Sequence, residues 1–261
     1  MIRGLVQQWW GDPNYGHGLL VPLFVAYLLW RDRARWLVVP LRPSDYGLPI
    51  LWSALGLLLL GTLGAELFTA RISLILMVSA IIVLLAGWQF LRAIAFPTGY
   101  LLFMIPLPAL VYYQLTFPLQ LLASRLGAHG LAFLGIPTVR QGNLLILPNV
   151  TLEVVEACSG VRSLLSLVAA VVAYGYLAER SVWKRILLVA LTIPIVILSN
   201  GFRLVAAGIL SYRYGPNVDS GALHAALGLL FFALAFLSIL LVHGLLRHFN
   251  RPRTAIPGHE G

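Results

Sequence analysis

Long apolar runs, broken by turns that hold one or a few charged residues or prolines, dominate the chain, and their lengths set the elements it predicts. Residues 17–30, 47–64, 72–91, 93–113, 159–178, 186–212 and 222–246 each read as a membrane-crossing helix. Prolines 97, 106 and 108 should kink the helix over 93–113, a distortion that neighbouring helices tolerate in a membrane. The lead MIRGLVQQWWGDPNYGHG reads as amphipathic or interfacial, with Trp9, Trp10 and Tyr15 suited to the headgroup zone. Residues 114–135 are long enough to cross. Gln114, Gln120, Ser124, Arg125 and His129 make one side of them polar, however, and an amphipathic or cavity-facing helix is the better reading. Between 136 and 157 the pattern changes: NLLIL, the turn Pro148-Asn149 and VTLEVV predict a β-hairpin over 143–155. The expected fold is an all-α polytopic membrane protein of about seven to eight transmembrane helices, with a short extracytoplasmic hairpin before the helix that follows Cys158. Residues 1–253 form one integral membrane domain in this reading, and 254–261 a disordered cytoplasmic tail.

Composition agrees with the membrane class. At 60% hydrophobic and 10% charged, the 261 residues carry more apolar surface than a soluble domain of that size buries. The net charge of +9 does not imply nucleic acid, because the basic residues sit singly or in short clusters between apolar runs. They orient the chain instead. Arg31, Arg33 and Arg35, then Arg92, then Arg180, Lys184 and Arg185, and finally Arg247, Arg251 and Arg253 mark cytoplasmic ends. Cys158 and the hairpin then lie at the outer side. A single cysteine excludes an internal disulfide. Residues 1–16 contain Arg3, Asp12, Pro13 and Asn14 and lack a long apolar core, so no cleavable signal peptide is expected.

The candidate chemistry centres on VVEACSGVRSLLSL, residues 154–167. A lone cysteine is ordinarily a small buried hydrophobe. Here Glu153 and Glu156 precede Cys158, Ser159 and Gly160 read as a helix start, and Arg162 follows at i+4 on the same helical face. The helix start and the guanidinium favour a thiolate, and Glu156 opposes it. Two further polar groups fall at the same depth: Arg203, with Asn200 beside it, in the outer half of the next span, and His224 at the start of the last. Arg203 reads either as a functional charge or as a structural ion-pair partner or snorkelling side chain. His224 reads either as a proton carrier or as an interfacial polar residue. His17, His129, His243 and His248 have no comparable partner pattern and read as interfacial or structural. Taken together, Cys158, His224 and Arg203 supply a nucleophile, a proton shuttle and an oxyanion stabiliser, which suits acyl transfer at a carbonyl. One Cys and one His without HExxH or CxxC spacing do not make a zinc site, and no cofactor is implied.

The chain resembles the exosortases through NYGHGLLVP with WRDRAR after it, FPTGYLLFMIPLP, LGIPTVRQGN, EACSGVRSL, NGFRLVAAG and the histidine of LHAALG. These stretches follow one another in family order over almost the whole chain. The resemblance implies a bacterial membrane cysteine protease and transpeptidase, with Cys158, Arg203 and His224 as catalytic residues. It also implies exported protein partners bearing a C-terminal tail: a short Pro-Glu-Pro-like motif, a transmembrane helix and a basic end. A link to exopolysaccharide production comes with it. Arg162, Glu156, Asn200 and Ser159 are the supporting residues, and the implied location is the inner membrane with the site facing outward. A non-enzymatic transporter or a scaffold for polysaccharide export is the alternative, although no internal repeat of the kind common in transporters is evident.

Overall fold

In the computed structural model, residues 2–154, 160–215 and 221–249 are described. Cys158, Glu156, Ser159 and the tail 254–261 lie outside them. The chain divides into two compact units, Met1–Tyr113 and Gln114–Gly261.

In the first unit the lead is a helix, α1 (Ile2–Gly11), whose Leu5 and Trp9 are buried while Ile2, Val6 and Trp10 are exposed. Trp9 is tied down twice: its Nε1–H donates to the Met104 carbonyl at 2.8 Å, and its ring packs where a Cβ on Gly18 would stand. After a 3-10 turn, Gly16–Leu19, α2 (Leu20–Arg31) and the single turn α3 (Arg33–Trp36) follow. Helices α4 (Gly47–Leu63) and α5 (Leu67–Ala86) form a tight hairpin. Gly47 faces the backbone of Ala80 and Leu84, and Gly61 that of Ala70, so that a Cβ at either glycine would come within 2.5–2.8 Å of those atoms. Small residues at both ends thus let the two helices approach as apolar helices do in lipid. Glu66 caps α5, its carboxylate accepting from the Phe68 and Thr69 N–H groups.

The next apolar stretch is divided more finely than expected. It forms α6 (Trp88–Ala93), α7 (Ala95–Tyr100) and a 3-10 turn, then breaks at residues 105–108 before α8 (Ala109–Phe133). Two prolines within the break, Pro106 and Pro108, remove backbone donors and stop one helix. The expected boundary near residue 113 is therefore replaced by a break some residues earlier. The polar segment 114–135 belongs to a 25-residue helix that begins at Ala109.

The hairpin of the second unit is a three-stranded antiparallel sheet, β1 (Val139–Gln141), β2 (Leu144–Ile146) and β3 (Thr151–Glu153), in the order β1-β2-β3. Leu145 faces Leu152 across the β2/β3 pair. These residues, with Leu147, Val150 and Val154, form one buried cluster with Ala123 and Leu131 of α8 and with Leu204. The expected hairpin is thus present as β2 and β3. The additional strand β1 is joined to β2 by Gly142-Asn143, a two-residue turn with Gly142 at φ 63°.

Three helices complete the unit: α9 (Val161–Ala178), α10 (Val182–Tyr214) and α11 (Ala222–Phe249). Leu167 and Val171, Leu188 and Val196, and Ala235 and Ile239 supply one shared core from the three in turn. The 33 residues of α10 rise roughly 50 Å, more than a bilayer's hydrocarbon core of about 30 Å. Part of that helix therefore projects into the interface or beyond.

Among the described residues, α5, α9, α10 and α11 are long and apolar enough to cross a membrane, and a fifth span results if the segments on either side of the 105–108 break count as one. Gly16–Arg31 and Gly47–Leu63 are apolar but shorter. The full-length spans are fewer than the seven to eight expected. Arg31 ends the first of the short helices, and the second, at 17 residues, stands at the lower limit of crossing length.

Candidate active site

At the N-terminal end of α9, Gly160 has left-handed backbone geometry, φ 83° and ψ −5°, where a side chain is strained. It is buried against α10: a Cβ at Gly160 would lie 3.1 Å from Asn200 Cγ and 3.2 Å from Asn200 Cβ and Nδ2. The helix start therefore requires glycine for two independent reasons, its φ and the Asn200 side chain. One turn further along α10, Arg203 is also buried. Its Nη1 reaches α11, lying 3.6 Å from the position a Cβ would take on Gly228.

Asn200 and Arg203 line one narrow crevice with Ser163 of α9 and with Gly228 and Phe231 of α11. Its volume of about 10 Å³ holds roughly one water molecule. Ser199 closes one wall by donating its hydroxyl to the Phe231 carbonyl at 2.8 Å, which joins α10 to α11 beside the crevice.

Of the residues singled out from sequence, Asn200 and Arg203 are thus brought together, with Gly160 against Asn200. His224 is partly exposed in the first turn of α11 and precedes Gly228 by four residues, so the two share a helical face. Arg162 is partly buried in the first turn of α9, and among the described residues the crevice is lined by Ser163 rather than Arg162. Cys158, Glu156 and Ser159 lie outside the described residues. Ser199 and Gly228 were not foreseen. The i+4 spacing of His224 and Gly228 within LHAALG is the signal that could have found the second of them.

A second polar cluster gives His243, read as interfacial or structural, a structural place with two partners. This residue is 1% exposed and sits between two partners: its Nδ1 is 2.7 Å from the Tyr174 hydroxyl, and its Nε2 is 3.3 Å from Glu179 Oε2. Glu179 occupies the turn between α9 and α10, where Oε1 accepts from the Ser181 and Arg180 N–H groups and Lys184 Nζ stands 3.9 Å from Oε2. The Ser181 N–H, then the His243 ring, the Arg180 N–H and the Lys184 charge hold the Glu179 carboxyl down to about 2, against the opposing effect of desolvation. The cluster ties α9, the turn and α11 together, and α9 and α11 each have the crevice at their opposite ends.

A buried cation and a side-chain amide, Arg203 and Asn200, thus share one crevice with Ser163 in the first turn of α9, and Gly160 packs on the same Asn200. A family model described as Transmembrane exosortase (Exosortase_EpsH) matches residues 9–241. No curated protein and no solved structure matches the chain. The match takes in both compact units and every helix from α2 to α10, and the chain is a multi-pass membrane protein that belongs to the transmembrane exosortase family.

Proposed function

We propose that this protein is a membrane-embedded cysteine peptidase and transpeptidase that cleaves the C-terminal sorting tail of exported proteins through a thioacyl intermediate. The observation that carries the reading is the packing of Gly160 on Asn200 beside the buried Arg203. Cys158 stands two positions before Gly160 with only Ser159 between them, a reach of at most about 7 Å. This short reach supports a thiol that acts near the N-terminal end of α9. In the reaction, Cys158 Sγ gives up its proton to His224 and attacks the scissile carbonyl carbon. Arg203 balances the charge that develops on the carbonyl oxygen. The carbon–nitrogen bond then breaks, and the amine of the released tail leaves with the proton carried by His224. An acceptor amine or water gives a proton to His224 and attacks the thioester carbon, expelling the thiolate, which takes that proton back and restores the enzyme.

Asn200, Arg162, Glu156 and Ser159 support this centre. The edge strand β3, which leads into the Cys158 segment, offers an extended substrate a main-chain partner. The site faces outward from the bacterial inner membrane in this reading, and the substrates serve sorting linked to exopolysaccharide production. Co-expression with tail-bearing proteins from the same genome, followed by mass spectrometry of their new C-termini, tests it. Loss of the tail at one defined bond, with the acceptor attached or a free carboxylate left, is the expected result. Unprocessed tails beside a thiol inert to alkylating reagents would point instead to a transporter or scaffold.

A further inference from the structure

The first unit holds a charge that the proposed reaction does not use. Arg71, in the first turns of α5, is 5% exposed, and its Nε is buried without a hydrogen-bond partner among the described residues. Its electrostatic neighbours are Glu66 and Tyr15. Glu66 is the only carboxylate of the two, and both of its oxygens are already engaged by the N–H groups of Phe68 and Thr69, at 3.2 and 2.6 Å. No ion pair within 4 Å joins Arg71 to a carboxylate among the described residues. A buried guanidinium left this way lacks the planar, charge-assisted acceptors that normally stabilise it.

The surroundings indicate what kind of acceptor fits. Tyr15 is buried and its ring centroid is 6.2 Å from that of the buried Tyr112, so aromatic residues of the kind found in a headgroup zone stand near this charge. Leu63 and Leu67, on either side of Glu66 in sequence, and Tyr113, next to Tyr112, expose apolar surface. Arg71 itself stands about one turn inside the start of an apolar 20-residue helix, the depth at which phosphates meet hydrocarbon. We infer that Arg71 is the anchor of an oxyanion site in the N-terminal unit that takes a phosphate group, presented by a phospholipid headgroup or free in solution.

The test uses the purified full chain in a nonionic detergent and reads binding rather than processing. Thermal shift and native mass spectrometry are followed during titration with dihexanoyl phosphatidylglycerol, inorganic phosphate and, as the uncharged control, dihexanoyl glycerol. The expected result is saturable stabilisation by phosphatidylglycerol that dihexanoyl glycerol does not give. Affinity should fall about ten- to a hundredfold in Arg71→Gln and by less in Arg71→Lys, which keeps the charge and loses the fork. Equal stabilisation by inorganic phosphate at matched concentration assigns the site to the free anion, and a preference for phosphatidylglycerol assigns it to lipid. The inference is overturned if the wild-type chain shows no saturable response to either phosphate ligand, a result that does not depend on whether Arg71→Gln folds. It is equally overturned if Arg71→Gln binds as wild type does, or if dihexanoyl glycerol stabilises as well as phosphatidylglycerol.

Discussion

Gly160 and Asn200 stand 40 residues apart in the chain, yet the α-carbon of the first lies so close to the side chain of the second that a methyl group between them would be 3.1–3.2 Å from three of its atoms. The contact sets where α9 begins, and its N-cap Gly160 comes two residues after the only cysteine.

Gly160→Ala should therefore lower stability by about 1–3 kcal/mol through its left-handed backbone alone, with the crowding of Asn200 added to that. Processing should fall by more than the lost folded fraction, because the helix start is displaced. Thermal unfolding and tail cleavage measured on Gly160→Ala, Asn200→Ala and the double variant separate the two effects. If the crowding matters, the double variant is less impaired than the sum of the singles. Strict additivity would remove the packing argument.

Cys158→Ala and Cys158→Ser should both abolish processing and leave an inserted, folded protein with unchanged membrane fractionation. The expectation rests on Cys158 being the only thiol in the chain. Normal cleavage by the alanine variant would end the cysteine mechanism.

Arg203→Lys should reduce turnover severely while leaving alkylation of the thiol largely intact, since the charge remains and the planar fork is lost. His224→Ala should suppress both, with about 10² to 10⁴ lost in rate. Gly228 offers a check that leaves Arg203 in place. Its Cβ position is 3.6 Å from Nη1, an ordinary contact, so Gly228→Ala should be close to neutral, whereas Gly228→Leu should push the guanidinium aside and slow turnover. Full activity in Gly228→Leu and Arg203→Ala together would move the oxyanion role to Arg162 or to backbone N–H groups.

Acid should loosen the turn between α9 and α10. The Glu179 carboxyl, with an ordinary value of 4.5, is depressed to about 2 in the folded protein, so its contribution to stability is fully present above about 4.5 and is lost as pH falls through about 2. Unfolding followed from pH 6 to pH 2 should show wild type losing stability across that window. Glu179→Gln, already lacking the carboxylate, should start less stable and lose less. Parallel curves for the two would show that the carboxylate acts elsewhere.

Read from sequence alone, the apolar runs and their basic borders are enough for the membrane class, the helical content and the order of the motifs, because hydrophobicity and charge act locally along the chain. EACSG, N-x-x-R and the histidine of LHAALG point to Cys158, Arg203 and His224 for the same reason: motif spacing is a property of neighbours. The strand β1 was within reach as well, since Gly142-Asn143 is a hairpin turn visible in the residues, but VRQ is too short to read as a strand unaided. Other features exist only through contacts between distant elements. Gly160 meets Asn200, Arg203 reaches Gly228, and His243 joins Tyr174 to a glutamate 64 residues away. In the sequence Arg71 is one more charge at the border of an apolar run, and only packing buries it. Periodicity says which face of a helix is apolar, but which residue of another helix fills the space opposite is decided by packing, and in this protein packing alone brought these pairs together.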